Sequence, residues 1–325
     1  MRTAQQQAEA LGLHTVWVTA GDGPFLEELL AQFDHYAQRW TDTASQALRK
    51  ILAATSVALA GVTITGSQAS SPTRSGLGRQ LQAVLEKAGE SAHKNSHRGL
   101  VIFIDEIQAA DKEGLRALAY AWQHMQSEAS DLPLLAVTAG LSHTQNVITD
   151  AVSFAERFHY AHLSNLDEPA SRTAITRPAD HHGVCWENEA TSLAVRLAAG
   201  YPYFLQLIGD LSWIAADDPE PGGIITPHHV HAAREEFHQA QEALFRSRWM
   251  KATDREITIM IAMAELGDGP VRRGDIAAAL GARTTDISMA RRSLMDKGLV
   301  DSPHHGYLEF TAPGFAAFVR RSTSL

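Results

Sequence analysis

Apolar residues along the first half of the chain follow two rhythms. Runs at His14–Thr19 (HTVWVT), Leu100–Ile104 (LVIFI) and Leu134–Thr138 (LLAVT) predict strands. The last two are continuous enough to be buried on both faces, as in a parallel sheet. Phe25, Leu29, Leu30, Phe33 and Ala37 instead recur at helical spacing, and further helices are predicted over about 2–11, 79–93, 113–128 and 144–155. Val57–Thr65 (VALAGVTIT) reads as a hairpin or short strand, Gly66–Gly78 as a Ser/Gly-rich loop, and Phe158–Leu163 as a last short strand. Strands alternating with helices predict an α/β layer structure built on a parallel sheet.

Beyond Leu166 the strand pattern stops. Four helices are expected over 168–177, 187–199, 202–215 and 227–241, the last opened by Thr226-Pro227, a cap followed by proline. From about Ala252, three short helices lead into a strand pair turning at His304-His305-Gly306. The expected domains are an α/β core over 1–166, a helical domain over 167–245 and a small C-terminal domain over 246–325.

Composition adds little until it is divided. Hydrophobic residues make up 45% of the 325 and charged residues 20%, which excludes a disordered or collagen-like chain. The formal charge is −9, but from Arg246 onward there are 12 basic and 9 acidic residues. On charge grounds only the C-terminal part suits a nucleic-acid surface, and its excess is small. No apolar run reaches the roughly 20 residues of a membrane span, and no secretory leader is legible at Met1. A single cysteine, Cys185, excludes an internal disulfide framework and points to a reducing, cytoplasmic location.

The most informative stretch is Leu100-Val-Ile-Phe-Ile-Asp105-Glu106, a buried strand ending in two carboxylates. That is the edge at which open α/β sheets hold ligands, and such acids can hold Mg²⁺ and polarise a water. The plainer reading is a strand that ends in solvated acids. Sixteen histidines include His228 and His231 at metal-compatible spacing, but no Cys or carboxylate pattern completes a site. Cys185 has no basic neighbour in sequence, and a buried packing role is expected for it. Trp40, Trp122, Trp213 and Trp249 are read as core or interface residues.

FIDEIQ resembles the Walker B motif of the AAA+ superfamily, and within it of the origin-recognition-like and STAND-type ATP-binding proteins. Pro133–Leu141 resembles the sensor-1 strand of those proteins, Phe154–Phe158 the segment with the box VII arginine, and Gly200-Tyr-Pro202 the G-x-P signature of the helical lid. The resemblance runs from His14 to the C-terminus. It implies an AAA+-like P-loop NTPase fold with a helical lid, ATP or ADP and Mg²⁺ as cofactors, and ATP hydrolysis or a nucleotide switch as the activity. By position it implies Asp105 as the metal and cofactor ligand, Glu106, Arg157 and Thr138 as catalytic, and Gly200 and Pro202 as cofactor-binding. The phosphate loop G-x-x-x-x-G-K-[ST] occurs nowhere in the sequence; Arg74-Ser-Gly-Leu-Gly78-Arg79 is the nearest cluster and lacks the Lys-Ser/Thr. In the family that loop precedes the helix expected at 2–11, so the ATPase core is read as N-terminally truncated, with weak or absent nucleotide binding.

The C-terminal order of helix, turn, helix and strand pair resembles a winged-helix domain. That implies a DNA or protein partner for its second helix, with Thr285, Ser288, Arg291 and Arg292 available to phosphates or bases. The alternative function is accordingly a non-catalytic DNA-binding or protein-interaction module on a degenerate ATPase scaffold. The oligomeric state is not legible.

Overall fold

The structure, a computed structural model, describes residues 1–39, 43–59, 75–95, 97–128 and 131–323. Trp40 and the part of the expected strand and loop spanning 60–74 lie outside the described residues. The chain divides into two compact units, 1–160 and 161–325.

Unit 1 contains α1 (Arg2–Ala10), β1 (His14–Thr19), α2 (Phe25–Ala37), α3 (Thr43–Leu59), α4 (Ser75–Lys94), β2 (Leu100–Asp105), α5 (Lys112–Ser127), β3 (Leu134–Thr138) and α6 (Thr144–Ala151). The three strands form a parallel sheet in the order β1-β2-β3, with Thr19 opposite Asp105 and Ile104 opposite Thr138. The fold class is therefore α/β, with helices packed on a parallel sheet.

Central β2 is buried from Leu100 to Ile104. Alternation sends Leu100, Ile102 and Ile104 into the larger core with Phe25, Phe33 and Leu85, and Val101 and Phe103 to the opposite face with Ala8, Leu13 and Trp17. Trp17 stacks on Phe103 at 5.9 Å, and the Arg2 guanidinium lies 3.8 Å above the Trp17 ring. Among the described residues β3 pairs on one side only, and its Leu135 is 53% exposed.

Three expectations for this unit change. Residues 57–59 end a helix, not a strand, because Leu48 and Leu52 set a helical stripe that buries them fully or nearly so. Ser75–Gly78 opens α4 and is not a loop. Gly78 is there to let helices approach: a Cβ on it would sit 2.9 Å from Tyr120 Cβ of α5. Residues 158–163 form no strand; Ala155–Arg157 make a single 3-10 turn, and Phe154 and Phe158 fold back on Ala119 and Val152.

Unit 2 runs through α7 (Glu168–His181), β4 (Cys185–Trp186), α8 (Asn188–Ala198), α9 (Pro202–Ala215), β5 (Ile224–Ile225), α10 (Pro227–Met250), α11 (Asp254–Leu266), β6 (Val271–Arg272), α12 (Arg273–Ala279), α13 (Ser288–Asp296), β7 (Val300–Asp301), β8 (Tyr307–Phe310) and α14 (Phe315–Thr323). Short β4 and β5 pair in parallel, while β6, β8 and β7 form an antiparallel sheet in that order. One hydrophobic core spans the unit, from Ile175 through Phe204, Phe237 and Phe245 to Phe315 and Val319. The expected internal boundary at 245/246 falls inside α10, where Phe245 lies against Phe204 on one side and Phe315 and Phe318 on the other.

Candidate functional site

The carboxyl edge of the unit 1 sheet brings Asp105 and Glu106 to the surface, the first half-buried and the second exposed. Asp105 ends β2 on the face shared with Phe103 and Trp17. Its Oδ1 accepts the Glu106 amide at 3.1 Å, and its carbonyl accepts the Ala20 amide at 2.9 Å. Glu106 then turns left-handed, at φ 53° and ψ 36°. A glutamate in that region is strained backbone of the kind found where a side chain must be aimed.

Gln108 holds the turn together. Its Nε2 donates to Glu106 Oε2 at 2.6 Å, while its Oε1 accepts the Leu141 amide at 3.2 Å. The amides of Ile107 and Ala139 complete the link by donating to the carbonyls of Ala139 and Ile104. One side chain thus ties the second carboxylate to the loop that follows β3. Gln108 is not singled out by sequence reasoning, although its place two residues after the acid pair is the available signal.

Thr138 ends β3 one row before Asp105, and by strand alternation its side chain takes the face of Ile104, opposite to that of Asp105. Arg157 is exposed, with its guanidinium carbon 5.9 Å from the Phe154 ring centre; no described contact joins it to the acid pair. Gly200 and Pro202 belong to unit 2. Gly200 adopts φ +75°, and a Cβ there would lie 2.3 Å from the Leu166 carbonyl oxygen, so the turn requires glycine for backbone reasons alone. Pro202 starts α9, where a missing N–H costs nothing.

The donors at the sheet edge suit a divalent cation, which Mg²⁺-type sites hold through one or two carboxylates plus substrate phosphates. Among the described residues no cluster of three or more His, Cys, Asp or Glu offers an all-protein metal cage. His229 caps a helix instead, its Nδ1 accepting the Thr226 amide at 3.1 Å in the capping box of α10. Cys185 is exposed on β4, not buried as expected, because the two-residue strand turns Trp186 inward in its place.

In the C-terminal part, α13 carries Arg291 and exposed Arg292. Arg291 is half-buried, and its Nε is buried without a hydrogen-bond partner. Burial first, then the charges of Arg273 and Arg292, hold its guanidinium below the ordinary arginine range. Asp286 does not neutralise this group, since its carboxylate accepts from the Arg283 side chain at 3.1 Å and the Arg283 amide at 3.0 Å. Ser288 Oγ donates to the Thr284 carbonyl at 2.9 Å, and Thr285 Oγ1 to Asp286 at 3.3 Å. Arg273 is not among the residues expected from sequence.

The sequence profile of a family described as "Domain of unknown function (DUF8462)" matches residues 242–319. No curated protein matches the chain. Among solved structures, the RuvB Holliday junction branch migration motor of Thermotoga maritima is similar at 16% identity and a TM-score of 0.39, over 98% of this chain and 92% of that one. Cdc6p from Pyrobaculum aerophilum is similar at 11% identity and a TM-score of 0.36, over 99% of this chain and 93% of that one. No helix among the described residues is long and apolar enough to cross a membrane.

Proposed function

We propose that the chain is an AAA+/STAND-type ATP-binding protein acting as a nucleotide-dependent switch or ATPase, with weak nucleotide binding in these 325 residues. The carrying observation is the acid pair at the carboxyl end of the buried central strand, with Gln108 holding Glu106 at 2.6 Å. Asp105 would hold Mg²⁺ and Glu106 would orient a water for attack on the terminal phosphate. A bound Mg²⁺ supplies charge neutralisation to the phosphates. Gly200 and Pro202 would approach the base, and Thr138 and Arg157 would sense the terminal phosphate, as the family resemblance implies. The lid is assigned to 167–245 and the winged helix to 246–325. No phosphate-loop pattern is present in the sequence, which is why affinity is expected to be low. Calorimetric titration with Mg-ATP tests this reading. Millimolar, Mg-dependent binding lost in Asp105→Asn is expected, and no response at all would favour the second reading.

The second reading, a DNA-binding winged helix, is favoured by one observation: Arg273, Arg291 and Arg292 share a neighbourhood in which Asp286 is already engaged by Arg283. A half-buried guanidinium with an unpartnered Nε is costly. A nucleic-acid phosphate would supply the missing acceptor.

A further inference from the structure

A cavity of about 690 Å³ in unit 2 lies between α7 and α9 and is assigned no role by the nucleotide reading. Its wall is aromatic: Trp186, Tyr203 and Trp213 line it, and His182 meets the Trp213 ring edge-to-face at 5.9 Å. Tyr203 is 47% exposed, so the cavity opens to solvent on that side.

The polar side chains in this wall are Asp210, Gln206 and His182, with the polar tips of Tyr203, Trp186 and Trp213. Asp210 carries the one carboxylate among the described lining residues, which include no lysine or arginine; Arg177 lines an adjoining pocket that shares Ala174 and Pro178. Pro178 sits inside α7 and has no N–H to give the carbonyl of Ala174, four residues earlier. Both residues line the cavity. The chain then leaves α9 through Asp217 and Asp218, both left-handed at φ 60° and 48°. The Asp218 amide donates to the Trp213 carbonyl at 3.3 Å, closing the helix in the manner usually given to glycine. Asp217 and Asp218 are not among the described lining residues.

Ring faces attract cations, most strongly where water is partly excluded, and a carboxylate beside them adds charge and a hydrogen-bond acceptor. Aromatic rings beside one carboxylate, with no lysine or arginine among the described lining residues, describe a receptor for a donor-rich cation. The volume exceeds that of one side chain and falls within the range of ligand pockets. We infer that the α7–α9 cavity docks a basic segment of a protein partner, with an arginine or lysine side chain inserted between Tyr203, Trp213 and Asp210. This site does not depend on the nucleotide reading.

The test uses the full chain and fluorescence anisotropy of a labelled peptide of alternating arginine and leucine, at about 0.15 M salt, where long-range attraction is screened. Saturable binding is expected, with at least a tenfold loss in Asp210→Asn and in Tyr203→Ala. Both positions are exposed, so the thermal transition should be unchanged. Gln206→Lys, which places a like charge at the exposed rim, should lose binding by a similar factor. A control, Asp22→Asn on unit 1, should bind as the parent does, and the peptide with glutamate in place of arginine should not bind. Equal affinity of the parent and the three cavity variants would overturn the proposal. An equal loss in the Asp22 control would also overturn it, by showing general attraction to an acidic protein.

Discussion

Lys297 Nζ donates to Glu256 Oε2 at 2.6 Å, and the Glu256 side chain is only 2% exposed. The same oxygen accepts the Thr253 amide at 2.7 Å in the capping box of α11, so one carboxylate starts a helix and pairs with the residue that follows α13. Burial pushes the Glu256 carboxyl up, but hydrogen bonds from Lys297, Ser293 and the Thr253 amide outweigh it and bring the group down to about 2.

Lys297→Met leaves that carboxylate buried and unpaired. A loss of about 3 kcal/mol is expected in denaturant unfolding, the low end for a broken buried pair because Lys297 is partly exposed. Adding Glu256→Gln should restore most of it, since a neutral amide still caps Thr253. Because the folded value lies below the ordinary carboxyl value of 4.5, the stabilisation is full above that pH and is lost as pH falls through about 2. An unchanged midpoint in the single variant would contradict the role assigned to the pair.

His14 provides a pH dependence of a different origin. It packs against Tyr36 at 4.1 Å and His97 at 4.9 Å, and burial, then the charges of His97 and Arg39, lower it from 6.5 to about 4. The neutral form is therefore the one that folding favours. Unit 1 should hold this stabilisation above pH 6.5 and lose it as the pH falls from there to about 4. Thermal melts of His14→Phe should lack that part of the slope.

Arginines 273, 291 and 292 make a prediction in salt. If they meet phosphates, retention of duplex DNA by the full chain should fall steeply with ionic strength. Arg291→Ala with Arg292→Ala should then reduce the log–log slope by about 1–2, and Arg273→Ala by about 1 more. Retention that is unchanged in the triple variant would remove DNA from this face.

The outer edge of β3 predicts self-association. Leu135 is more than half exposed, and the backbone of β3 is paired only toward β2 among the described residues. Such an edge is a template for another strand. Leu135→Lys should lower light scattering at high protein concentration without lowering the melting temperature.

The strands and the acid pair are legible in the sequence because their signals are local. HTVWVT, LVIFI and LLAVT each carry β-branched residues in short bounded runs, and β1 and β3 have the bounds read from them. By contrast, α3 is hidden because Val57 and the β-branched residues after it outweigh the Leu48/Leu52 stripe that tertiary packing rewards. Short α14 is hidden for a related reason: its buried Phe315, Phe318 and Val319 declare a helical face only against α11 and Phe245. At the site, Asp105 and Glu106 are readable as residue types at a strand end. The left-handed turn and the Gln108 strap are not, since they depend on how the loop after β3 returns to β2. Arg273 escapes a linear reading because its nearness to Arg291 is set by α12 and α13 both packing on α11, not by sequence separation.

Phe245 has a consequence for how unit 2 comes apart. Its ring meets Phe315 at 5.2 Å and Phe318 at 5.6 Å, while also facing Phe204 at 6.1 Å across the core. A fragment begun after α10 would leave two phenylalanines of α14 without the ring that shields them. The helices before Met250 and the small sheet after it therefore form one cooperative folding block, and heat should melt them in a single transition.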